Sequence, residues 1–207
     1  MKKVFLWALL LSPIIIIAQN SLGVKVGALT TGIANAKIGD NQNRFGFYIG
    51  GFYNLQMKNG FSFQSELMYS YERFNNVNIS TVEYFGGVEN PENTQPRFDE
   101  YYKKKLVKLP LLLKYQPTKF YVELGPQIAY LISIEGTTED RLNEFPTIEG
   151  KLEDINKLKF SFVFGGGYHL NEKFDVGLRA DLGFTKFSEY TYIKNFNVGL
   201  GINYKIK

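Results

Sequence analysis

The chain has 207 residues, no cysteine and a formal charge of +4. That length suits one domain. The missing cysteine excludes a disulfide framework, cysteine metal sites and a lipid-modified N-terminal cysteine. A charge this small, with no basic stripe, excludes a nucleic-acid partner.

Residues 1–18 have the form of a secretory signal. Lys2 and Lys3 precede the apolar run Val4–Leu11, Ser12-Pro13 interrupts it, and Ile14–Ile17 closes on the small residue Ala18. Cleavage is expected before Gln19, which leaves one domain, 19–207, with about +2 of the formal charge once Lys2 and Lys3 are gone. An uncleaved anchor is the alternative, but the run is short for a spanning helix. No later segment approaches the ~18 apolar residues such a helix needs.

The mature chain then alternates with period two, the signature of strands. Ser21–Leu29 comes first, and 30–43 is polar and reads as a loop. Arg44–Gln56 is second, followed by Lys58-Asn59-Gly60, a tight turn because Asn-Gly readily takes positive φ. Phe61–Arg73 is third, and 74–103 is a long polar insertion. The clearest hairpin comes next, Lys105–Tyr115 and Phe120–Ser133 about the turn at 116–119. The segment 136–156 is a second long loop. Lys157–Leu170 and Lys173–Phe187 flank a turn at Asn171-Glu172. The loop 188–194 leads to the last strand, Asn195–Lys207.

Eight strands with connections alternating between long and short predict an all-β fold, an eight-stranded antiparallel up-and-down transmembrane β-barrel. The short turns and both chain ends would face the periplasm, and the long loops the exterior. Strands of ten residues or slightly more suit a tilted bilayer crossing. Closure removes the edges that lipid would leave unpaired.

One face of each strand carries no charge and, on every strand but the first, is rich in aromatics, so it is expected to meet lipid. A soluble lipocalin-like barrel would invert the arrangement. The opposite face collects Lys25, Glu66, Glu72, Lys108, Lys114, Glu123, Asp175, Arg179, Asp181 and Lys205, five basic and five acidic residues. Eight strands enclose a space that side chains about fill. These ten are therefore expected to form a structural ion-pair network in a plugged lumen. Interfacial aromatic girdles are expected at Tyr69, Tyr71, Tyr101, Tyr102, Tyr130, Tyr190 and Tyr192 outside. On the periplasmic side Tyr53, Phe61, Tyr115, Phe120, Phe174 and Tyr204 are expected.

Several segments together carry a family resemblance: GVKVG (23–27), FSFQSELMYS (61–70), KLVKLPLLLKY (105–115), FYVELGPQIAYLIS (120–133), FGGGYHL (164–170) and VGLGINYKI (198–206). Pro110 in LPLLLKY and Gly125-Pro126 in ELGPQ are the most specific. In these the chain resembles the PorT-like outer-membrane β-barrel family of Bacteroidetes, often labelled porin family protein. The resemblance implies a bacterial outer-membrane location, a barrel fold and no catalytic motif to transfer. Ile206 departs from the aromatic residue usual near the C-terminus of such proteins; Tyr204 stands in reach of that role.

No enzyme constellation, cofactor motif or metal-ligand spacing is present in the sequence. The single histidine, His169, is expected at a periplasmic turn or interface. The acidic residues of 136–156 lack regular spacing for calcium, and Gly165-Gly166-Gly167 lies inside a strand, where it signals a bend or close packing. The expected role is non-enzymatic: a rigid barrel in outer-membrane lipid, displaying loops 74–103 and 136–156 to a protein or glycan partner. A small porin, an accessory of protein secretion and an outer-membrane enzyme are the alternatives.

Overall fold

The computed structural model describes residues 20–33, 44–76, 98–140, 146–151, 156–185 and 195–206. The expected signal segment, the loop 188–194 and much of the other long loops lie outside the described residues, as do Tyr190 and Tyr192. Among the described residues the strands are β1 (Asn20–Ile33), β2 (Arg44–Gln56), β3 (Phe61–Asn76), β4 (Phe98–Tyr115) and β5 (Phe120–Asp140). After these come the short β6 (Ile148–Lys151), then β7 (Leu158–His169), β8 (Phe174–Gly183) and β9 (Asn195–Lys205). Every pairing is antiparallel, and β9 returns to β1, from Gly23↔Lys205 to Ile33↔Asn195. The barrel closes with eight strands in the order β1-β2-β3-β4-β5-β7-β8-β9.

Short turns at 57–60, 116–119 and 170–173 join strands at one end. At the first, Asn59 (φ 60°) and Gly60 (φ 78°) supply the positive φ that the reversal requires. In outer-membrane barrels the end with short turns is the periplasmic one.

The expected lengths of the two long loops need correction. β3 runs to Asn76 and β4 starts at Phe98, so both ends of 74–103 are strand. β5 runs to Asp140 and then pairs with β6, from Glu135↔Lys151 to Thr138↔Ile148. Polar residues hid these extensions: above the lipid there is no apolar face, so the sequence pattern fades while backbone pairing continues. A bulge at Ile132–Ser133 marks the change, where Lys105 pairs Ser133 but Leu106 pairs Leu131.

Alternation sorts the side chains cleanly. Leu22, Val24, Val26, Phe47, Ile49, Leu67, Val122, Leu124, Leu178, Leu200 and Ile202 stand exposed on the outside. Such a continuous apolar surface is a liability in water and a match to hydrocarbon. No helix among the described residues is long and apolar enough to cross a membrane; the strands cross it. Along β4 the uncharged outer face runs from Tyr115 to Val107, eight residue steps. That is about 27 Å of strand, or about 21 Å along the membrane normal at a ~40° tilt, close to the ~25 Å apolar band of such barrels. Aromatic pairs ring the periplasmic end: Phe61–Tyr115 at 4.6 Å, Phe120–Tyr168 at 4.9 Å and Phe174–Tyr204 at 5.0 Å between ring centroids. At the other end Phe47 lies 5.7 Å from Tyr71 and 6.3 Å from Tyr69. Tyr102 is a correction. It shares the inward parity of Lys104, packs beside the buried cluster Leu106, Ala129, Leu131 and Ile134, and stacks on Phe74 at 4.9 Å. It caps the lumen from inside and takes no place in the girdle.

Candidate functional site: the charged lumen

All ten charged residues expected inside face the lumen, and they sort into three layers. The periplasmic layer is built on Asp175, which is 1% exposed. His169 Nδ1 hydrogen-bonds it, Lys205 Nζ lies at 3.3 Å and Lys114 Nζ at 3.8 Å. Lys114 also sits 3.5 Å from the centroid of the Tyr121 ring, a cation–π contact. His169 is therefore not the turn residue expected; it is buried in the lumen, 5.5 Å from Tyr121 ring to ring. Its parity with Gly165 and Gly167 on β7 was the available signal.

The middle layer spans the barrel. β3 and β8 are four places apart in a ring of eight, so they stand opposite. Arg179 on β8 reaches across to Glu66 on β3 through two bonds, Nη1–Oε2 at 2.7 Å and Nη2–Oε1 at 2.9 Å. The same guanidinium binds Glu123 Oε1 on β5, from Nε at 2.9 Å and Nη2 at 2.6 Å. Lys25 Nζ and Gln64 Nε2 also donate to Glu66 Oε1, at 2.9 and 2.6 Å. A planar fork filling two carboxylates is the arrangement that offsets the cost of withdrawing such charges from water.

The outer layer joins β4 to β3 and β8. Lys108 Nζ lies 2.5 Å from Glu72 Oε1 and 3.3 Å from Asp181 Oδ2. Gln127 donates to Asp181 Oδ2 at 2.8 Å and to Ser161 Oγ at 2.9 Å. Lys104, which the sequence reading left out of the network, lies 3.3 Å from Glu72 Oε2, 4.7 Å above the Phe74 ring and 2% exposed. It was overlooked because the sequence places it beside the polar insertion, where no apolar alternation flags its face.

Glycines and two tyrosines set how the lumen is filled. At one level the inward residues of β1, β9, β8 and β7 are Gly27, Gly201, Gly177 and Gly167, each paired to the next, and the row ends on Tyr48 and Tyr121. A Cβ at Gly27 or Gly201 would run into the Tyr48 phenol, and one at Gly167 or Gly177 into that of Tyr121. The glycines are the floor on which two tyrosines lie. Among the described residues a cavity of about 30 Å³ lies between Leu29, Tyr48, Met68, Lys108, Gln127, Arg179, Asp181 and Asn197. That is room for a water or two and for no solute. Toward the exterior end lies the buried apolar cluster of Leu106, Ala129, Leu131 and Ile134.

Among the described residues no group of three or more His, Asp or Glu is placed to hold a metal ion. The buried carboxylates are met by lysines, an arginine, amides, the Ser70 hydroxyl and His169, and the arrangement pairs opposite charges. The model of the outer membrane protein beta-barrel domain family matches residues 17–189 of this chain. The chain belongs to this family. It is thus an outer-membrane barrel, with its apolar face in membrane lipid. In fold this outer-membrane barrel is similar to Neisserial surface protein A, at 11% identity and TM-score 0.43, covering 90% of this chain and 97% of that one. It is also similar to Ail of Yersinia pestis in a phospholipid bilayer nanodisc, at 13% identity and TM-score 0.42, covering 91% and 100%. A third is the N-terminal β-barrel domain of Pseudomonas aeruginosa OprF, at 14% identity and TM-score 0.39, covering 91% and 99%. No curated protein matches the chain.

Proposed function

We propose that this barrel is a non-enzymatic surface protein whose sealed body holds β3, β4, β5 and β6 above the membrane for contact with a protein or glycan partner. The observation behind the reading is the lumen. Three ion-pair layers, two tyrosines on a glycine row and a buried apolar cluster fill the described lumen around a cavity of about 30 Å³, whereas the paired strands at 98–104, 133–140 and 148–151 continue beyond the apolar band. Binding residues commonly sit on connections that a rigid scaffold positions. The loops 74–103 and 136–156, now shortened by these strands, are the natural site for such a partner. We place the chain in the PorT-like branch found in Bacteroidetes on its LPLLLKY and ELGPQ segments, and expect residues 1–18 to be removed on export.

Single-channel recording of the full chain in a planar bilayer tests the reading. A quiet membrane, with the folded protein verified by heat-modifiable gel mobility, is expected. Stable unitary steps would replace it with the small porin. The accessory role in secretion, which the PorT-like resemblance implies, makes a separate demand: deletion of the gene would leave secreted cargo inside the cell.

A further inference from the structure

The outward face of the barrel carries almost no charge until it reaches the exterior rim of one side. There, directly above the aromatic residues Phe47, Tyr69 and Tyr71, a row crosses four strands through register partners: Arg73↔Lys103, Lys103↔Glu135 and Glu135↔Lys151. Lys105, paired with Tyr71, sits one outward position below Lys103 and lies 3.5 Å from Glu135. Four cationic positions and one carboxylate thus occupy two adjacent outward rows at the level where the uncharged face of β4 ends, and Lys105 pairs with that carboxylate.

Two details mark this as more than a solvated rim. Arg73 and Lys103 are like charges directly opposite on neighbouring strands, a pairing that destabilises a sheet unless an anion lies between them. The Arg73 guanidinium is also held in place: its Nε donates to the Phe45 carbonyl at 2.9 Å and the group lies 5.9 Å from the Tyr71 ring centroid. The next outward row is reached through Tyr101↔Thr137 and Thr137↔Glu149 and carries no cation, so the cationic positions are confined to two adjacent outward rows at the headgroup level. Basic groups at that level attract anionic headgroups, and arginine matches phosphate with two parallel bonds.

We propose that Arg73, Lys103, Lys105 and Lys151 form a binding site for the phosphate groups of a phosphorylated lipid in the outer leaflet. The site lies on the lipid-facing side of β3–β6, so its occupant is a headgroup anchored by its own acyl chains beside Phe47 and Tyr71. The inference stands on the membrane placement of the barrel and is independent of any partner at the loops.

The test is native mass spectrometry of the detergent-refolded full chain with diphosphoryl lipid A and with dephosphorylated lipid A as probes. The wild-type protein is expected to retain the diphosphoryl form at least tenfold better. The variant Arg73→Gln/Lys103→Gln/Lys105→Gln/Lys151→Gln is expected to lose that preference, and Lys58→Gln/Lys119→Gln/Lys173→Gln at the periplasmic turns to keep it. Heat-modifiable mobility verifies folding of each variant. Should the fourfold variant fail to refold, Arg73→Gln/Lys103→Gln is measured, with at least a threefold loss expected. Equal retention of both probes by the wild type, or an unchanged preference after substitution, overturns the proposal. A preference abolished by millimolar inorganic pyrophosphate assigns the row to soluble phosphate and overturns the lipid source.

Discussion

At mid-height the wall formed by β7, β8, β9 and β1 presents four glycines in a row, whereas β3 and β5 present Glu66 and Glu123. The first wall has no side chain at that level, and long side chains from the second fill the space. An eight-stranded ring is too narrow for bulky residues on every strand. Concentrating the glycines on one side lets Tyr48 and Tyr121 lie flat over them and frees the diameter for Arg179 to meet Glu66. Glu66 and Glu123 supply the acceptors for Arg179, and the glycine row supplies the room in which those bonds form.

The comparison breaks first at Glu66. Glu66→Ala leaves Arg179 one carboxylate and removes the ion-pair partner of Lys25. An expected loss of about 3–5 kcal/mol follows from orphaning buried charge, read as a shift of the denaturant midpoint in detergent micelles. A loss below about 1 kcal/mol would mean that water, and not the carboxylate, neutralises Arg179. The glycine wall should yield less. Gly201→Leu forces its side chain into Tyr48 and is expected to cost about 1–3 kcal/mol in the same assay. Combining it with Tyr48→Ala should cost less than the two single changes together, since the overpacking is relieved; simple additivity would show that Tyr48 does not occupy the space above Gly201.

Smaller effects sharpen the contrast between lumen and surface. Lys205 is the most exposed of the lumen cations and shares Asp175 with His169 and Lys114. Lys205→Gln is therefore expected to shift unfolding by about 1 kcal/mol or less. Lys105→Gln, which removes the exposed pair with Glu135, should change stability by no more than about 0.5 kcal/mol. Equal losses at Lys205 and Glu66 would erase the distinction between the mouth and the middle layer.

Much of this architecture is legible in the sequence wherever the outer face is apolar. Period-two alternation located β2 from Arg44 to Gln56, gave the inward face of each strand, and placed all ten charges expected inside. It faded above the membrane, where β3–β6 continue as a sheet whose outer face no longer carries an apolar stripe. Lys104 and Tyr102 were missed for that reason. His169 was missed at a strand end, where nearness to the turn outweighed its parity. The glycine row is invisible for a different reason. Each glycine reads as a local irregularity, and only the register between strands distant in sequence aligns Gly27, Gly201, Gly177 and Gly167. The pairing of Arg179 with two carboxylates likewise depends on which strands face each other across the ring.

The seam between β1 and β9 joins the earliest described strand to the last. Its consequence is temporal. Until β9 is in place the sheet has two raw margins that lipid cannot hydrate, so insertion has to wait for the far end of the chain. Contacts that distant are slow to form. Meanwhile the β4–β5 hairpin, closed by four residues, can form on its own. Assembly of this barrel is thus expected to begin in its middle and finish where its two ends meet, with any chain cut before Asn195 left as an open ribbon for degradation.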